Sequence, residues 1–179
     1  MKNSEYHPFA KFLHWSVVGL VIIQFLTTWV SELFNSVFSR VFLKSMHISF
    51  GVLLFVIAAT LLVMRFLKPT EKPTVTLQEK AAVAMQYALY FLILAITFSG
   101  WVSASIRNIS VGFANLFSLP QLYERGSHIG SLIAESHELF SNALLILVIG
   151  HAGAALYHHY VLKDSILLNM LPKRKSTQS

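Results

Sequence analysis

Four stretches of this sequence run for twenty residues or more without a single aspartate, glutamate, lysine or arginine: residues 12–31, 45–64, 81–106 and 139–162. An α-helix rises 1.5 Å per residue, so about 20 apolar residues cross the ~30 Å hydrocarbon core of a bilayer. Inside that core every backbone N–H and C=O needs an internal partner, which leaves helices and closed barrels as spanning forms. Four such stretches predict an all-α fold, a four-helix transmembrane bundle in one domain covering residues 1–179. Composition agrees. Hydrophobic residues make up 55% and charged residues 12%, where soluble domains carry roughly 25% charge. The mean hydropathy of +0.60 excludes a disordered polar tail. The first stretch exceeds the 7–15 apolar residues of a signal peptide and no small-residue cleavage site follows it, so it is expected to remain as the first span.

The charged residues that border these stretches predict an orientation. With the N-terminus inside, Lys2, Lys11, Arg65, Lys68, Lys72, Lys80, Lys163, Lys173, Arg174 and Lys175 fall on inner segments. Only Arg40, Lys44, Arg107 and Arg125 fall on outer ones, and the acids divide evenly. An excess of Lys and Arg marks the cytoplasmic side, so both termini are expected in the cytoplasm. The net charge of +6 therefore predicts membrane lipid, and no nucleic acid, as partner. Residues 68–74 read as a short stiff inner linker. The longest connection, 107–136, holds apolar pieces such as 111–119 and is expected to contain a short interfacial helix. The absence of cysteine excludes disulfides, zinc–thiolate sites, iron–sulfur clusters and thioether-attached haem.

Histidine depth then carries the chemistry. Six of the eight histidines lie in or at the edge of the spans: His14, His47, His137, His151, His158 and His159. Ionisable residues at membrane depth are costly, which makes them functional candidates, although a lone histidine at a helix end is more often an interfacial side chain. His137 and His151 are 14 residues apart, about 40° short of four full turns, so both face one side at a separation of about 21 Å. His14 lies three residues inside Lys11, and His47 three residues after Lys44. Their axial levels differ by roughly 23 Å. His47 is thus expected to meet His137 near the outer face, and His14 to meet His151 near the inner face. Two imidazole pairs between helices of a bundle suit the two axial positions of haem iron, giving two haem groups. Gly51 after His47, and Gly150, Ala152, Gly153, Ala154 and Ala155 around His151, offer room for a flat macrocycle, although small residues also serve tight helix packing. The third span has no histidine, and its Ser99 and Gly100 are expected to be helix-contact residues. Met46, Met64 and Met85 form no matched pairs and are expected to pack. Gln24 and Asn142 are open to bonding a ligand from behind or to ordinary interhelical bonding. His158, seven residues past His151, faces the same side among Tyr157 and Tyr160 in the inner headgroup zone. It is expected either at a haem propionate or quinone headgroup, or as a simple interfacial side chain. His7 and His128 are expected to face solvent.

The stretches Ser-His-Glu-Leu-Phe-Ser-Asn at 136–142 and Gly-His-Ala-Gly-Ala-Ala-Leu-Tyr-His-His-Tyr at 150–160 resemble the bacterial cytochrome b561 family. Leu-His-Trp at 13–15, Met-His-Ile at 46–48 and the closing 163–174 extend the resemblance over nearly the whole chain. It implies four spans, two haem b groups and electron exchange with ubiquinone, with His14, His47, His137 and His151 as axial ligands of haem iron. One branch of that family oxidises superoxide outside the membrane and reduces ubiquinone, and the same oxidoreductase activity is the leading expectation here. Lys44 and Arg107, on the outer side, are the candidates for steering an anion. The alternatives are a cytochrome b anchor that relays electrons between a partner dehydrogenase or hydrogenase and quinone, and a histidine-dependent metal-ion transporter. The last would call for intramembrane carboxylates, and the four spans contain none.

Overall fold

The computed structural model describes residues 7–34, 36–67, 76–113 and 116–171. Four long helices dominate: α1 (Pro8–Leu33), α2 (Val37–Leu67), α3 (Leu77–Ile106) and α4 (His128–Tyr157). All four are long and apolar enough to cross a membrane. Each uncharged stretch lies within one of them, apart from 158–162 at the end of the fourth, and the helices extend past the charged borders. α2 begins eight residues before the uncharged run and carries Arg40 and Lys44 in its first turns. α4 begins at His128, eleven residues before its own run, and carries Glu135 and Glu138. Charge marks where a helix meets the headgroups; it does not stop the helix, because Glu, Lys and Arg are good helix formers.

Local signals set the ends. Pro8 opens α1 at a position whose N–H has no helical partner, and the His7 side chain accepts from Phe9 N at 3.3 Å. Thr76 and Glu79 close a capping box on α3, each side chain bonded to the other's backbone N–H. α3 ends where Asn108 takes φ 59°, with Asn108 N donating to Ser105 O and Ile109 N to Ala104 O. That is a Schellman termination with asparagine in the left-handed position. Ser127 caps α4 through Gly130 N at 3.2 Å.

The outer connection differs from expectation. No short helix forms in its described part; β1 (Val111–Phe113) and β2 (Phe117–Leu119) pair antiparallel. Gly112 faces Ser118, and a Cβ on it would collide with the Phe117 carbonyl oxygen, so only glycine allows this approach. The strand pair packs on α2 and buries Val111. Trp101 Nε1 and Gln121 Nε2 tie its far side to α3, through Pro120 O at 3.0 Å and Ser105 O at 2.9 Å. Pairing two short strands satisfies backbone groups that a short helix would leave open at its ends.

α1 packs along α2, α2 along α3, and α3 along α4. Of the three other long helices, only α3 packs along α4 at length. The core at mid-height comprises Leu20 and Val21 of α1, Leu54 and Ala58 of α2, Leu92 and Ile93 of α3, and Leu144 of α4. At its C-terminal end α4 passes into a π-helical turn, His158–Leu162, then a left-handed Lys163 and the short α5 (Ile166–Met170). α5 returns to the start of α1, where Trp15 Nε1 donates to Met170 O at 2.9 Å and Lys11 Nζ to Leu171 O at 3.4 Å. The first turns of α1 and the end of α4 therefore share one face of the bundle. Residues 68–74, expected as a linker, lie outside the described residues, as do Lys2, Lys68, Lys72 and 173–175.

Leu144 is 2% exposed and is the one α4 residue in that core. Trimming it to alanine is expected to cost about 1–3 kcal/mol, below the roughly 2–5 kcal/mol of soluble cores, because lipid reduces the transfer contribution while the cavity remains. A fall in thermal stability in detergent measures it; an unchanged midpoint would mean that α4 is held by α3 alone.

Candidate functional site

His14 and His151 bring their ring centroids to 6.4 Å, at an interplanar angle of 68°. His47 and His137 do the same at 6.4 Å and 72°. Two pairs thus stand at two levels of the bundle, each joining α4 to a different helix; the level of His14 and His151 is called inner and that of His47 and His137 outer, after the orientation expected from the sequence. Among the described residues no hydrogen bond links the two rings of either pair. One metal ion held between two imidazole nitrogens needs two bonds of about 2 Å and two ring radii of about 1.1 Å, a centroid spacing of about 6.2 Å. Both pairs have that spacing. No group of three or more His, Cys, Asp or Glu gathers among the described residues, so each level could offer a metal two imidazoles.

Heptad spacing builds the arrangement. Leu144 is seven residues from His137 and seven from His151, so all three share one face of α4 at intervals of about 10.5 Å. Val21 follows His14 by seven residues on α1, and Leu54 follows His47 by seven on α2. The apolar core at mid-height is therefore the layer between the two pairs. Near the inner pair in sequence, a Cβ on Gly150, Gly153 or Gly19 would meet nothing within 4 Å, so α1 and α4 carry open space there. At the outer level the space over Gly51 is taken by Gln24, whose Nε2 would lie 3.0 Å from a Cβ there. The room expected at Gly51 is thus filled by a side chain of the facing helix.

The outer pair is held from behind. His137 Nδ1 lies 2.9 Å from the Ile96 carbonyl, which can only accept, so this nitrogen carries the proton. Ser99 Oγ donates to the same carbonyl at 3.0 Å and stands 3.3 Å from the ring. Gly100 admits the ring against α3, since a Cβ there would be 2.9 Å from His137 Cε1. His47 Nδ1 lies 3.2 Å from Thr27 Oγ1, with Thr28 Oγ1 at 3.5 Å. Both hydroxyls already donate to the Gln24 carbonyl, at 2.9 and 3.1 Å, so the imidazole is the donor. Both outer rings are therefore Nδ1–H tautomers that present the lone pair of Nε2, as an imidazole oriented to bind metal does. His14 and His151 have no hydrogen-bond partner among the described residues.

Read from sequence, Ser99 and Gly100 are helix contacts, and Thr27 and Thr28 carry no signal. A serine or threonine in an apolar helix usually bonds its own backbone, and these do, so nothing local announces the histidine beyond. Gln24 serves through its backbone carbonyl, not its amide, and its Oε1 is buried without a partner among the described residues.

His158 is not brought to either pair. Its Nδ1 meets Asp164 Oδ2 at 2.5 Å across the π-helical turn, and this bond holds the Asp164 carboxyl below the usual carboxylate range. His7 and His128 are both exposed, His128 at the start of α4. Arg107 lines an outer cleft of about 390 Å³ together with Ser103, Ser131, Glu135, His137 and Glu138. Lys44 is exposed on α2 and is not among the residues lining that cleft.

A family model described as prokaryotic cytochrome b561 matches residues 5–173. The chain is 32% identical to cytochrome b561 homolog 1 of Escherichia coli K12, over 92% of this chain and 95% of that one. It is 29% identical to the probable superoxide oxidase CybB of Yersinia pestis, over 91% and 93%. A third relative, cytochrome b562 of Cereibacter sphaeroides, is 26% identical over 90% and 92%.

Proposed function

This chain belongs to the prokaryotic cytochrome b561 family of membrane electron-transfer proteins that bind haem b, and from that premise we propose that it carries two haems and passes electrons from superoxide outside the membrane to ubiquinone within it. The observation that supports this most is the pair of 6.4 Å histidine spacings at two levels of one bundle. His47 and His137 would hold the outer haem and His14 and His151 the inner one. The donor set fits: two imidazoles at each level, the outer two with Nδ1 committed elsewhere. Bound haem supplies one-electron exchange at iron. The protein's share is to fix the rings, to keep water out of the Leu144 layer and to admit reactants at the ends.

Both termini would lie in the cytoplasm of the bacterial inner membrane, an orientation supported by ten inner against four outer basic residues. Superoxide as donor is supported by the name of the Yersinia relative and by the cleft that joins Arg107 to His137. The carboxylates of Glu135 and Glu138 share that cleft, so steering depends on Arg107 and Lys44 acting locally.

Stopped-flow reduction of the haem-loaded protein by superoxide, with and without ubiquinone, tests the function. The difference spectrum should be that of a b-type cytochrome, and quinone should speed reoxidation. Replacing both Lys44 and Arg107 with glutamine is expected to lower the bimolecular rate about tenfold, and added salt should lower the wild-type rate, because steering is screened over about 8–10 Å. A rate indifferent to both would remove superoxide steering and leave the haem ligands standing.

A further inference from the structure

We propose that Lys11 and Arg65 are the carboxylate clamp of the inner level, where they hold the two propionates of the haem borne by His14 and His151. This deepens the proposal above and rests on His14 and His151 holding a haem.

Lys11 is buried where a cation is least stable without a counter-charge. It is the fourth residue of α1, in the turn that carries the partial positive charge of a helix N-terminus. No acidic residue stands in that turn to offset it. The side chain is only 8% exposed. Among the described residues its ammonium donates to one acceptor, the neutral Leu171 carbonyl, at 3.4 Å. That is longer than a full-strength N–H···O bond, and it leaves two further N–H groups unused. Among the described residues His158 and Asp164 form the only ion pair, so no described carboxylate neutralises Lys11. A buried cation without an anion is strongly destabilising, and this one stands one helical turn from a ligand histidine.

Arg65 repeats the pattern from α2. It lies 18 residues after His47, five full turns, so it shares the face of His47 and of the buried Leu54 and Ala58. Those residues span about 27 Å of axis, against about 21 Å between the two histidine levels along α4. Arg65 therefore stands about 6 Å beyond the inner pair, and Lys11, three residues before His14, about 4.5 Å beyond it on the same side. The two cations occupy one layer at the inner end. The helix dipole favours a cation in the last turn of α2. It does not satisfy Arg65 Nε, which is buried and has no partner among the described residues. Haem b carries two propionate carboxylates on one edge, and ammonium and guanidinium groups are the side chains that bind carboxylates. Two cations lacking an anion match them in number, sign and level. The outer level is different: Lys44 is exposed, and Arg107 shares its cleft with Glu135 and Glu138.

The test is the rate at which the purified, two-haem full chain loses haem to excess apomyoglobin. Lys11→Gln should speed the loss of one haem about tenfold, the weight of one hydrogen bond to a charged group, and leave the other haem alone. Arg65→Gln should act on the same haem in the same direction. Lys11→Arg, which keeps the charge, should stay within about threefold of the wild type. In the His151→Ala background, which lacks the inner ligand pair, Lys11→Gln should change nothing. Haem dimethyl ester, whose propionates carry no charge, supplies the arm that needs no variant. The wild type should release the ester from one level about tenfold faster than haem, and Lys11→Gln should release it no faster than the wild type does. A Lys11→Gln effect that persists with the ester would overturn the clamp and assign the anion to a lipid phosphate or to the chain itself. Haem loss unchanged by Lys11→Gln, or by esterification, would overturn it too. A wild-type chain carrying fewer than two haems would instead sink the ligand reading beneath it, a result visible before any transfer is followed.

Discussion

With His151 replaced by alanine, the purified chain is expected to hold about half the haem of the wild type, one b-type centre per polypeptide. The inner pair draws its two donors from α1 and α4, which do not pack along one another at length, so His14 alone faces an alanine across a centroid gap that nothing else bridges among the described residues. The outer pair lies about 21 Å away along α4 with its own supports from α3 and α1. The Leu144 layer separates the two levels and is left intact by the substitution. Haem content per protein, read from the pyridine haemochrome, measures the effect. Added imidazole should restore part of it, because the alanine leaves the volume of one imidazole vacant. Loss of all haem with the protein still folded would mean that the two levels load as one unit.

Gly100→Leu should remove the opposite haem without touching any ligand. A Cβ at position 100 would stand 2.9 Å from His137 Cε1 and 3.2 Å from its Nδ1, so the ring must leave α3. Moving it breaks the 2.9 Å bond to Ile96 O. A buried N–H left without an acceptor costs about 1–3 kcal/mol. On the proposed reading, the expected product keeps the inner haem and loses the outer one. Full haem content in this variant would show that α3 gives way to the side chain, and that the ring position is not set by Gly100. The two substitutions together assign each half of the absorbance to one pair of helices.

The spans are legible in the sequence because the bilayer imposes a simple rule: a run of about 20 uncharged apolar residues has to be a helix with its backbone bonds satisfied internally. The two levels of histidine are legible for a related reason, since a helix of known rise converts residue number into depth, and charged borders give the origin. The supports behind the rings are not. The contacts of Thr27 with His47, and of Ser99 and Gly100 with His137, join residues 20, 38 and 37 positions apart. They depend on how far each helix is rotated about its own axis, and in a membrane apolar faces do little to fix that rotation. The pairing of β1 with β2 escapes a sequence reading because so short an apolar stretch has too few positions to separate helical from strand periodicity. The close approach at Gly112 becomes visible only once its partner strand is in place. His158 shows the same division: periodicity puts it on the face of His151, and the π-helical turn gives it to Asp164. Depth and helicity belong to the chain and its solvent, while ring orientation, tautomer and the partners behind each ligand belong to the packing of one helix on the next.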